Sequence, residues 1–177
     1  VLGGQICIQA SISSKAKELN YNNNLLIQCF TVIGSFDPND KAVYPVSTLD
    51  ISGDRWLTYT IRFQNTGTAS AEHIYITDTL SVALDWSTFN LLSFSHQPLT
   101  QVFNDGLLKF SFPNIHLPDS NTNEPKSHGY VQYKIRAKDS LAIGSLIENT
   151  ANIFFDFNAP VITNTTSNTV INCSIPP

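Results

Sequence analysis

Two short segments carry the chain's densest set of hard oxygen donors. Asp37, Asn39 and Asp40 fall in the run DPND, and Asp156 and Asn158 in FDFN. A Ca²⁺ ion takes six to eight oxygens, and loops dense in Asp and Asn supply them. If the first and last strands lie side by side, the two loops meet and calcium ties the module's ends together. The same side chains also suit plain turns, where Asp and Asn bond back to nearby backbone. Zinc is not indicated, because the three cysteines are scattered and the four histidines lack ligand spacing. In an oxidising compartment Cys7 and Cys29 can pair, worth about 3 kcal/mol on the loop-entropy view, with Cys173 left over. Three unpaired thiols are the alternative. His96, His116, His128, Asp119 and Glu124 are raw material for a hydrolase. No G-x-S-x-G elbow accompanies them, and the carboxylates cluster in loops rather than on facing strands. The expectation is a protein without a catalytic site.

These groups need a scaffold, and the pattern predicts one made of strands. Residues 56–65 alternate, with Leu57, Tyr59, Ile61 and Phe63 on one side and Thr58, Thr60, Arg62 and Gln64 on the other. That is a strand with one buried face. Further strands are predicted over residues 5–10, 25–33, 73–78, 86–95, 107–112, 128–136, 147–155 and 161–171, with Gly, Asn, Asp or Pro between them. Only residues 13–19 suggest a helical turn. Residues 113–127 form the longest irregular stretch. The fold class expected is all-β, an immunoglobulin-like antiparallel sandwich. By parity, Asp78 shares a face with Ile74 and Ile76, and Asn149 shares one with Ile147, Ala151 and Ile153, so both point inward. Lys41 follows a polar turn, where solvation is the simpler reading. Residues 1–33 read as a hairpin, the end of a preceding β module, and residues 34–177 as the sandwich itself.

Composition narrows the class. In 177 residues only 14% are charged, the net charge is −4 and no basic stretch occurs, which argues against nucleic acid. No apolar run reaches the roughly 18 residues that span a bilayer. The sequence opens at Val1 without a secretory leader, as an excised fragment would. Trp56, Trp86, Tyr44, Tyr75 and Tyr130 are the aromatics from which a sugar-stacking platform would be built, although sandwiches also bury such rings. Two sequons begin at Asn164 and Asn172, and Asp139-Ser140-Leu141 matches a short O-glycosylation signal of Bacteroidetes surface proteins.

The runs GSFDPNDK (34–41), YTIRFQNTGT (59–68), ITDTL (76–80), LPDSNTNEPKSHGYVQY (117–133) and IENTANIFFDFNAPVITN (147–164) occur in this order. Together they resemble the β-sandwich module near the C-terminus of large secreted Bacteroidetes proteins, just before the sorting domain of the type IX secretion system. More distantly they are similar to conserved-repeat domains of bacterial surface and fimbrial proteins. The resemblance implies surface display or secretion and a stalk, spacer or adhesive role. Its partners would be neighbouring domains of the same chain, or a glycan or protein ligand. In the fimbrial relatives a first-strand Lys and a last-strand Asn can join as an intramolecular isopeptide bond, assisted by a buried acid. Carried onto this sequence, those residues are Lys41, Asn149 and Asp78. The chemistry needs a desolvated, neutral amine and a protonated acid. A buried Asp–Asn hydrogen bond would account for two of the three without it.

Overall fold

The computed structural model describes residues 5–13, 15, 24–31 and 38–173. The chain divides into two units, Val1–Asp37 and Pro38–Pro177. In the first, β1 (Gln5–Ser11) and β2 (Leu25–Thr31) form an antiparallel hairpin. Its register sets Cys7 opposite Cys29. Cys7 is disulfide-bonded, while the Cys29 side chain lies outside the described residues. Most of the helical turn expected over residues 13–19 also lies outside them.

The second unit is a β-sandwich. One sheet has the order β3 (Asp40–Tyr44), β5 (Trp56–Gln64), β10 (His128–Ala137), β7 (Leu84–Phe94). The other runs β13 (Val161–Ile162), β12 (Ala151–Phe155), β6 (Ile74–Thr79), β9 (Leu107–Phe112), β8 (Leu99–Val102). A third, smaller sheet joins β11 (Leu146–Asn149), β14 (Thr166–Ile171) and β4 (Ser47–Asp50). Named pairs are antiparallel except β14 with β4, which run parallel. Strand periodicity explains the packing. Leu57, Tyr59, Ile61 and Phe63 of β5 are buried, as are Val131, Tyr133, Ile135 and Ala137 of β10. They meet Ile74 and Ile76 of β6, Leu108, Phe110 and Phe112 of β9, and Ile153 of β12 in one core. Phe63 packs on Phe112 with centroids 5.4 Å apart, and Phe110 on Tyr133 at 5.9 Å, so the two sheets interlock through aromatic rings. Opposite Phe63 in the register stands Gly129, where a Cβ would lie 2.2 Å from the Phe63 ring. The missing side chain is the space that ring occupies.

Two features of this frame position the site. β11 and β12 are almost one strand, separated only by Thr150, yet β11 pairs with β14 while β12 pairs with β6. Asn149 therefore sits at the seam where the chain leaves one sheet for another. β3 pairs with β5 so that Lys41 stands opposite Ile61. Directly opposed residues of an antiparallel pair share a face, and Ile61 faces the core.

The irregular stretch expected over residues 113–127 instead contains a helical turn, α1 (Ser120–Asn123), followed by a 3-10 turn over Glu124–Lys126. The Asp119 side chain accepts from the backbone N–H of Asn121 and of Thr122, and Asn123 accepts from that of Lys126. These are capping bonds, and they close the segment locally.

Candidate functional site

The core holds a polar cluster drawn from all three sheets. Lys41 comes from β3, Asp78 from β6, Tyr133 from β10 and Asn149 from β11. Each is buried: Lys41 is 2% exposed, Asp78 and Tyr133 0%, Asn149 3%. The Lys41 ammonium contacts Asp78 Oδ2 directly. Tyr133 OH donates to the same Oδ2 at 2.6 Å and lies 3.5 Å from Lys41 Nζ. Asn149 Nδ2 donates to Tyr133 OH at 3.3 Å. Lys41 Nζ also lies 4.9 Å from the centroid of the Tyr59 ring. Asp78 Oδ1 and Asn149 Oδ1 are buried without a hydrogen-bond partner.

The electrostatics favour a neutral amine and neutral phenols. Burial pushes the Lys41 amine below its ordinary 10.5, and the adjoining Asp78 charge only partly opposes this. Burial first, and then the Asp78 charge, pushes Tyr59 and Tyr133 up, so both phenols stay protonated. A buried ion pair repays its desolvation only when its remaining hydrogen bonds are satisfied, and here Asp78 Oδ1 is left over. The site thus sets a desolvated amine beside a carboxyl group and a carboxamide, away from water. Those are the ingredients for transferring the Asn149 acyl group onto Lys41.

The three residues expected from resemblance, Lys41, Asp78 and Asn149, are thus gathered in one place. Parity had pointed Asp78 and Asn149 inward. Lys41 is buried although a polar turn precedes it, and one reason lies far along the chain. The Asn164 side chain grips the Lys41 backbone, its Oδ1 accepting from the Lys41 N–H at 2.9 Å and its Nδ2 donating to the Lys41 carbonyl at 2.9 Å. An amide in this pose does the work of a neighbouring strand. Asn164 entered the sequence reading only as the start of a sequon and the end of the run 147–164, and Tyr133 only as the last residue of the run 117–133. Nothing local distinguished either.

The proposed calcium donors are engaged elsewhere. Asp40 Oδ2 accepts from Arg62 at 2.6 Å, Asn39 Oδ1 from the Gln64 N–H at 3.1 Å, and Asp156 Oδ1 from the His73 N–H at 2.7 Å. Asn158 follows in an exposed turn, its N–H bonded to the Phe155 carbonyl. Asp37 lies outside the described residues. Among the described residues no group of three or more His, Cys, Asp or Glu converges as metal ligands do.

The histidines are dispersed too. His128 Nε2 pairs with Glu124 at 2.8 Å, His116 Nδ1 with Glu72 at 2.7 Å, and His96 Nδ1 with the Ser95 hydroxyl at 2.9 Å. Asp119 caps α1. The surface aromatics divide between strands. Tyr44, Trp56, Trp86 and Tyr130 belong to β3, β5, β7 and β10, whereas Tyr75 is on β6 and stacks on Phe154 at 4.2 Å. Lys134 lies 4.8 Å from the Trp56 ring, and the Trp86 indole donates to the Ser81 carbonyl at 3.0 Å.

Fold and site define a class: an immunoglobulin-like β-sandwich, a fold shared with bacterial pilin domains, with a buried Lys–Asp–Asn cluster crossing its sheets. More particularly, the chain belongs to the family described as Domain of unknown function (DUF7619), which matches residues 37–169. No curated protein matches its sequence. Among solved structures it is similar to the full-length major pilin SpaD of Corynebacterium diphtheriae, with TM-score 0.55 and 14% identity over 73% of this chain and 34% of that one. It is also similar to a 35 kDa C-terminal fragment of the major pilin GBS80 of Streptococcus agalactiae, with TM-score 0.52 and 12% identity over 74% of this chain and 55% of that one. The collagen-binding domain of a Staphylococcus aureus adhesin aligns over 78% of this chain and 100% of its own, with TM-score 0.48 and 13% identity. The chain spans only about a third to a half of the two pilin chains. At these identities the likeness is one of fold.

Proposed function

We propose that this chain is a non-catalytic structural module of a secreted or surface-displayed bacterial protein, stiffened by an amide bond between Lys41 and Asn149. The observation that carries the reading is the dry cluster in which Lys41, Asp78 and Asn149 meet around Tyr133. The chemistry balances within those residues. Lys41 gives one proton to Asp78, and the free amine attacks Cγ of Asn149. The Cγ–Nδ2 bond breaks and ammonia leaves. The products are a neutral secondary amide, one ammonia and a protonated Asp78. Burial of the amine and the unpartnered Asp78 and Asn149 oxygens favour this outcome over a permanent ion pair.

Such a bond suits a spacer. It joins a strand near the start of the sandwich to one near its end, so tension applied to the termini bypasses the intervening chain. The pilin folds above support a load-bearing role, and the motifs resembling the Bacteroidetes module support export through type IX secretion. The partners of such a module are the neighbouring domains of its own polypeptide. Single-molecule stretching tests the role. The linked span covers about 110 residues, so roughly 350–400 Å of chain stays hidden when the sandwich is pulled apart. Release of that full length on unfolding would overturn the proposal.

A further inference from the structure

The cluster contains one group that the crosslinking scheme above leaves unused. Tyr133 OH lies between the acid and the bond that must break: it donates to Asp78 Oδ2 at 2.6 Å and accepts from Asn149 Nδ2 at 3.3 Å. The same oxygen is 3.5 Å from Lys41 Nζ. The geometry points to Tyr133 as a catalytic residue of amide formation, relaying a proton from Asp78 to the departing nitrogen of Asn149. This inference rests on the crosslink reading and specifies how its hardest step proceeds.

An amide nitrogen leaves as ammonia, not as an amide anion, so it must gain a proton as the Cγ–Nδ2 bond breaks. Once Asp78 has taken a proton from Lys41, the bond between Asp78 and Tyr133 reverses direction. Asp78 then donates to the phenol oxygen, and the phenol hydrogen is free to turn toward Nδ2. As Lys41 Nζ adds to Cγ, Tyr133 passes its proton to Nδ2 and takes the Asp78 proton in return. Asp78 recovers a proton from the now cationic Nζ. Tyr133 ends as it began, Asp78 ends protonated, and every proton on the ammonia is accounted for. Tyr133 is well placed to hold this pose. Its ring stacks on Tyr59 at 5.3 Å and packs against Phe89 at 5.5 Å and Phe110 at 5.9 Å. Those contacts fix the hydroxyl without using it.

Tyr133→Phe removes the relay and keeps the ring packing. The full chain, made by cell-free synthesis and sampled over time by intact mass, reports ammonia loss directly. We expect Tyr133→Phe to lose ammonia at least about a hundredfold more slowly than the parent, in the range general acid catalysis contributes. A rate within about twofold of the parent, in a variant with native near-UV dichroism, overturns the relay while leaving the crosslink standing. A parent chain that never loses ammonia overturns both. If Tyr133→Phe fails to fold, 3-fluorotyrosine placed at position 133 preserves shape and alters phenol acidity. An unchanged rate and pH profile there overturns the relay, and a shifted profile supports it.

Discussion

Asn149→Ala removes the acyl donor while leaving the Lys41–Asp78 pair in place. Its effect follows from chain statistics. A crosslink closing a loop of about 100 residues restricts the unfolded chain by about 4.7 kcal/mol. The span from Lys41 to Asn149 is close to that length. For a domain of this size about 1 kcal/mol corresponds to about 3 °C, so the variant melts about 15 °C lower. Scanning calorimetry on parent and variant measures the drop. Lys41→Met and the double variant complete a cycle. Because either change abolishes the same bond, the two losses are strongly non-additive, with a coupling of several kcal/mol. A drop of only about 3 °C, explicable by one lost hydrogen bond, or losses that simply add, would refute the reasoning.

Asp78→Ala strands the Lys41 ammonium in the core without its partner. It should leave the chain at its full, uncrosslinked mass and, in urea denaturation, cost about 3–5 kcal/mol beyond the equally unlinked Asn149→Ala protein. In the unlinked Asn149→Ala protein Lys41 is free to titrate, and pH should expose it. Between its lowered folded value and 10.5 the unfolded chain binds more protons, so stability rises with pH in that window. Above pH 10 the raised Tyr59 and Tyr133 stay protonated only in the fold, and stability turns down. Urea titrations from pH 8 to 10.5 check this; a flat or falling slope below pH 10 contradicts it. Gly129→Ala drives a Cβ into the Phe63 ring. It should cost about 1–3 kcal/mol by overpacking, and an unchanged melting temperature would show that the sheets can spread.

Much of the frame was legible because strand periodicity is strong where one face is dry. The alternation over residues 56–65 became β5, and its apolar set is the core. Asp78 and Asn149 were placed inward by the same parity. What periodicity could not reveal were contacts set by distant chain. Lys41 is held by Asn164, more than a hundred residues away, and β4 pairs in parallel with β14. Tyr133 carried no signal in the sequence, since only its neighbours give its hydroxyl a task. In the DPND and FDFN segments, whose oxygens suggested calcium, Asp40, Asn39 and Asp156 bond Arg62 and backbone amides, as turn residues also do.

The central claim is that Lys41 and Asn149 are joined, and the intact mass of the denatured, reduced chain tests it most directly. The account predicts a mass short by one ammonia, restored to the full value in Lys41→Met and in Asn149→Ala. A parent chain at its full sequence mass would contradict it. A deficit of one water instead would assign the bond to Lys41 and Asp78 and contradict the role given to Asn149.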